Sequence, residues 1–143
     1  MIKKNKLEVF YEYDFQLIGL VCSLKEYKLA WLLNKELDVK LIKQPDIAFE
    51  FLNLGTFAIS NFIFTTENGT LRLLKNKAYE YEHVKSPFLI PELKEYDYFL
   101  KLESMEVHLP SERILEILKN VKQIIFIKDL AINDLKSKEN LIF

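Results

Sequence analysis

FAISNFIFTTENGTLRLL, residues 57–74, carries the most decisive local signal in the chain. Phe57, Ile59 and Ile63 alternate with Ala58, Phe62 and Phe64, which is the two-residue period of a strand. Asn68-Gly69 follows, and a second apolar run, residues 71–74, comes after it. Asn-Gly between two such runs predicts a hairpin closed by a type I′ turn, with both central residues at positive φ. Residues 71–74 are therefore expected to pair antiparallel with residues 62–66.

Upstream, residues 7–13 alternate, with Leu7, Val9, Tyr11 and Tyr13 set against Glu8, Phe10 and Glu12, and read as a strand. Residues 15–22 form a more continuous apolar run. They read as a buried strand in which Gly19 marks a bulge or a close approach of backbone. Ser23 and Glu26 have the spacing of a capping box and open a helix. Its apolar positions Leu24, Tyr27, Ala30, Trp31, Leu33 and Leu37, widened by Leu29 and Leu32, predict a well-buried helix against a sheet, ending at Asp38. Residues 39–42 read as a short strand or an extended link. Gln44-Pro45-Asp46 is a turn signal, and residues 47–52 are apolar around Glu50.

Downstream of the hairpin, residues 79–84 are a polar-aromatic connection, and Pro87 and Pro91 bracket an extended stretch. Residues 96–103 alternate, with Tyr96, Tyr98, Leu100 and Leu102 against Asp97, Phe99, Lys101 and Glu103, and read as a strand. A second helix follows Pro110, with Ser111 as its cap, Glu112 in its first turn and a stripe of Ile114, Leu115, Ile117, Leu118 and Val121. Residues 123–127 read as a short strand. The order predicts an α+β fold, an antiparallel sheet with two helices packed on one face. Residues 1–143 are expected to form a single domain, with residues 129–143 as a docked tail. Leu141, Ile142 and Phe143 follow Lys136, Lys138 and Glu139, and ordering such an end needs burial in return. The tail is expected to fold back on its own core or to cross to a second copy in a homodimer, the commonest oligomer.

Composition sets outer limits. Half of the 143 residues are apolar, 29% are charged, and 20 basic residues face 21 acidic ones. A domain of this size buries about two-thirds of its unfolded surface, enough for a core without metal or disulfide staples. The balance excludes a module whose affinity rests on whole-domain positive charge, though not a local basic patch. Arg72 and Arg113 are the only arginines, so bidentate phosphate or guanine readout is disfavoured. Cys22 is the only cysteine and lies in an apolar run. Lys3, Lys4 and Lys6 are followed by a segment broken by Glu8, Glu12 and Asp14 rather than by the apolar stretch of a signal peptide. No window approaches 18 apolar residues. A cytoplasmic setting with no membrane is the expectation.

Ile90-Pro91-Glu92-Leu93-Lys94-Glu95-Tyr96-Asp97-Tyr98 resembles the motif of the IPExxxVDY proteins of the Bacteroidetes. Ile90, Pro91, Glu92, Asp97 and Tyr98 match it, and Tyr96 stands where the motif has valine. Residues 15–19, 27–34, 60–62 and 140–143 also look like this family, so the resemblance covers most of the chain. It implies a small cytosolic bacterial protein and brings no chemistry with it.

Reactive groups are sparse. His83 and His108 are the only histidines; Glu80, Glu82, Glu103 and Glu106 lie near them in sequence, and Glu106 and His108 would share a face if residues 105–109 continued a strand. None has the H-E-x-x-H or C-x-x-C spacing of a metal site. Ser23, Ser60 and Cys22 lack a nucleophile context such as G-x-S-x-G. Gly19, Gly55 and Gly69 are isolated, so no phosphate loop and no cofactor are expected. Pro91, Glu92, Tyr96, Asp97 and Tyr98 admit two readings. In one, Pro91 sets an extended lead into a strand, Glu92 accepts backbone N–H groups and Asp97 satisfies a turn or a lysine. In the other they grip a partner. The expectation is a non-catalytic interaction or scaffold protein with an unidentified protein partner. One alternative is an RNA-binding accessory protein using Lys3, Lys4, Lys6 and Lys136 with Tyr11 and Tyr13. Another is a small enzyme using carboxylate and histidine residues.

Overall fold

A computed structural model of the chain describes residues 14–51, 55–78, 80–82 and 87–143. The described residues form seven strands and two helices: β1 (Phe15–Val21), α1 (Glu26–Leu37), β2 (Ile42–Phe51), β3 (Gly55–Thr65), β4 (Thr70–Lys75), β5 (Glu80–Glu82), β6 (Tyr98–Glu103), α2 (Ser111–Leu118) and β7 (Phe126–Leu130). Every strand pairing is antiparallel, and the sheet runs β2-β3-β4-β6-β1-β7. β5 pairs with the first part of β3, beyond the stretch that β4 uses. The hairpin has the expected register, with Phe62 opposite Leu73, Ile63 opposite Arg72 and Phe64 opposite Leu71. Residues 7–13 lie outside the described residues, as do Tyr79, His83 and Val84.

Pleating sends alternate residues to two buried faces. On one face Ile18, Leu20, Leu71, Leu73, Leu100 and Leu102 meet Leu29 and Leu33 of α1 and Ile114 and Leu118 of α2. The chain is thus an α+β fold with an antiparallel sheet and two helices packed on it. The opposite face presents Leu17, Phe57, Ile59, Leu74 and Phe99. No helix covers it. Leu89, Ile90 and Tyr96 from the segment before β6 lie there, with Leu135 and Leu141 from the end of the chain. β6, at the centre, is buried from Tyr98 to Leu102.

Local structure departs from the sequence reading where a long-range bond outcompetes a local one. α1 starts at Glu26, with Lys25 as its N-cap and no side-chain cap, so the Ser23–Glu26 capping box does not form. Residues 22–24 are instead held to the start of β6, because Cys22 N–H donates to Asp97 Oδ2 (2.8 Å) and the Tyr98 hydroxyl donates to Leu24 O (2.5 Å). The apolar arc of α1 is wider than the sheet can cover, so Tyr27 and Trp31 are 59% and 65% exposed. Asp38 ends the helix in the left-handed region, as placed from sequence. Gln44-Pro45-Asp46 is no turn. It lies inside β2, where pairing with β3 slips between Gln44 and Ile47, a bulge in an edge strand that tolerates the missing proline N–H.

Asn68-Gly69 does close the hairpin, but not as a type I′ turn. Among the described residues only Asp38, Ser104 and Gly55 have positive φ. The Thr66 hydroxyl accepts the N–H groups of Asn68 (3.3 Å) and Gly69 (3.0 Å), and Thr66 N–H donates to Gly69 O (2.8 Å). Glycine is needed for space: a Cβ at position 69 would lie 2.1 Å from Glu103 O and 2.4 Å from Ser104 O. Further along, β6 begins at Tyr98 rather than at Tyr96. Pro91 does not lead extended into it but opens a single 3-10 turn, Pro91–Leu93. Pro110 is the N-cap of α2, and Ser111 is buried in its first turn. Residues 105–109 turn instead of continuing β6, and the last strand is Phe126–Leu130 rather than 123–127.

Candidate functional site

The motif residues converge on Asn76, just past β4. Asn76 is fully buried and makes five hydrogen bonds to the segment it faces. Its side-chain amide donates to Leu93 O (3.0 Å) and Tyr96 O (2.9 Å), and its Oδ1 accepts Ile90 N–H (3.0 Å). Its backbone accepts from Leu89 N–H (2.7 Å) and donates to Asp97 O (3.0 Å). Residues 89–97 are thereby fixed as a folded flap on the sheet, and Pro91 supplies the turn at its corner. Asn76 was not singled out from sequence; only its place between the hairpin and the motif could have hinted at the role.

Glu92 ties the end of the chain to this flap, and Lys101 of β6 ties it to the sheet. Both Glu92 oxygens accept from Ser137, one from its N–H (2.7 Å) and one from its hydroxyl (2.8 Å). Partial desolvation pushes the Glu92 carboxyl up, yet these bonds, with the backbone N–H groups of Glu92 and Lys136, outweigh it and hold the group below the usual carboxylate range. Asn140 Nδ2 donates to Leu89 O (2.8 Å), and Leu141 is fully buried. Lys101, 4% exposed, donates to Leu141 O (2.6 Å), pairs with Glu103 (3.1 Å) and lies within 4.6 Å of the Phe15 and Phe143 ring centroids. Burial lowers its pKa, and Glu103 partly offsets that. Tyr96 packs its ring over Gly19, where a Cβ would come within 2.6 Å of it, and Phe99 and Phe126 flank the ring.

Asp97 and Tyr98 floor a cleft of about 410 Å³ at the end of β1, lined also by Cys22, Leu24, Phe88 and three lysines, Lys75, Lys77 and Lys94. That volume is within the range of ligand clefts. Ser23 lines the cleft as well, and the carboxylate and the phenol are engaged in the fold. Asp97 holds Cys22 N–H, and Tyr98 holds Leu24 O. Burial first, and then the nearby charge of Glu26, push the Tyr98 phenol well above its ordinary value. Burial likewise pushes the Cys22 thiol up, against a backbone hydrogen bond at Leu24. Lys75 reaches Glu26 at 3.4 Å. Lys77 and Lys94 are exposed and make no ion pair among the described residues.

The other residues singled out from sequence lie elsewhere. His108 is exposed beside Phe64, in the turn after β6, so it shares no strand face with Glu106. His83 and the side chains of Glu80 and Glu82 lie outside the described residues. Ser60 is buried, and its hydroxyl has no partner among the described residues. Among them no three His, Cys, Asp or Glu side chains gather as metal ligands, and no helix is long and apolar enough to cross a membrane. Compared with known proteins, the chain matches no family model, no curated protein and no solved structure.

Proposed function

We propose that this chain is a non-catalytic interaction protein of the bacterial cytoplasm whose lysine-rimmed cleft takes an anionic segment of a protein partner. One observation carries the reading: in the cleft, the carboxylate and phenol are committed to the fold and the thiol is buried, while Lys77 and Lys94 line it with no ion pair among the described residues. Ammonium groups on flexible stems suit point-charge attraction, not bidentate readout, and favour an acidic peptide over a sequence-read nucleic acid. The likeness of residues 90–98 to the IPExxxVDY motif is part of the same reading, since Asp97 and Tyr98 of that motif line the cleft.

Calorimetric titration with a polyglutamate peptide at low salt tests it. Binding is expected in the range of about 10–100 μM, falling about tenfold or more in Lys77→Ala/Lys94→Ala and weakening with salt. No binding by the full chain would overturn the reading. Tighter binding of a single-stranded RNA oligonucleotide than of the peptide would replace it with the RNA-binding alternative.

A further inference from the structure

The outward side of the helix layer carries two patches that fit each other. On α1, Tyr27, Trp31 and Lys35 stand four residues apart on one exposed strip, with Lys28 beside them. The Lys35 ammonium sits 5.6 Å from the Trp31 ring centroid. Residues four apart on a helix are surface neighbours, so the strip is one basic-aromatic ridge. Between α2 and β7 lies a groove of about 390 Å³ lined by Leu115 and Ile127 with Glu112, Glu116 and Lys119. Its walls are apolar, its rim is largely acidic, and Ile125, two residues before Ile127, is 70% exposed.

We infer that a second copy of this chain docks here, the α1 ridge of each copy seating in the α2–β7 groove of the other. Lys28 and Lys35 complement Glu112 and Glu116 in sign, and an exposed tryptophan is the kind of anchor that fills such a groove. α1 and α2 touch each other in the same layer on the same face of the sheet, so ridge and groove look outward together. That is the arrangement a two-fold interface requires, in which each patch meets the other reciprocally. Tyr27 and Trp31 together supply roughly a third of the about 800 Å² per partner that a standard interface buries. The interface uses neither Lys77 nor Lys94, so it stands or falls separately from the anion-binding cleft.

Sedimentation equilibrium on the full chain at about 100 μM tests the inference. The expected mass is twice 17.0 kDa. Lys28→Glu/Lys35→Glu and Glu112→Lys/Glu116→Lys change exposed positions and should each run as a folded monomer by circular dichroism. Mixed in equal amounts they should recover the dimer mass, because each reversed patch then faces its complement on both sides of the two-fold. Trp31→Ala should weaken association about 30-fold or more while leaving the helical spectrum unchanged. A full chain that stays monomeric, a dimer that survives both reversals, a mixture that stays monomeric, or assembly beyond a dimer would each overturn the inference.

Discussion

The two faces of the sheet are buried by different means. Two helices cover one face with periodic apolar side chains, and Leu29, Leu33, Ile114 and Leu118 would do the same work in many exchanged versions. The other face is covered by chain without long regular structure, residues 89–97 and 131–143, which satisfies only part of its own backbone through short turns. Its polar groups are met one by one, by Asn76, Glu92, Asn140 and Lys101. The lesson is that irregular cover needs specific polar side chains where helical cover needs only a pattern, because every buried N–H and C=O must find a partner.

Single substitutions should expose that contrast. Leu33→Ala on the helix face should cost about 2–5 kcal/mol in urea unfolding, the ordinary price of a core cavity. Asn76→Ala removes a smaller side chain yet should cost as much, about 3–5 kcal/mol. It strands Tyr96 O and Ile90 N–H and leaves Leu93 O with the Tyr96 N–H alone, and each unmet buried group costs about 1–3 kcal/mol. An Asn76→Ala loss below about 1 kcal/mol would mean that the flap does not depend on its clamp. Gly69→Ala acts on neither cover. It should cost about 1–3 kcal/mol, because its new methyl group meets the backbone at the end of β6, and an unchanged urea midpoint would remove that contact.

Glu92→Gln should have the smallest effect, under about 1 kcal/mol at neutral pH, since the carboxylate is exposed to solvent. Its pH dependence is more telling. The folded pKa lies below the unfolded value of about 4.3, so the stabilisation is fully present above that pH and is lost as pH falls through the folded pKa. Urea midpoints of the wild type and Glu92→Gln should therefore differ near neutrality and converge in acid. A gap that persists unchanged into acid would show that charge at Glu92 does not hold the end of the chain.

The same contrast explains what could be read from residues alone. Periodicity placed both helices, and Asn-Gly set the register of β3 and β4. Those signals are local, and the helix face is built from them. What was missed lay across the chain. The Ser23 cap lost to Asp97 and Tyr98, some 75 residues on, and the mirror-image turn lost to the Thr66 hydroxyl. Asn76 went unmarked because nothing within ten residues of it in sequence shows the carbonyls it serves. Tyr27 and Trp31 were counted into the core because helical periodicity gives the width of an apolar arc, not how much of it a sheet can cover. The lysines of the cleft come from two separate segments, Lys75 and Lys77 at the end of β4 and Lys94 in the flap, so no motif spacing could have grouped all three.

The central claim is a division of labour in the cleft: Asp97 builds the fold and the lysines around it bind. Urea unfolding of Asp97→Ala beside Lys77→Ala/Lys94→Ala tests it most directly. Losing the bond to Cys22 N–H should lower the stability of Asp97→Ala by about 1–2 kcal/mol, while the double lysine variant should stay within about 0.5 kcal/mol of the wild type. An Asp97→Ala protein as stable as the wild type, with the lysine variant destabilised instead, would contradict the account.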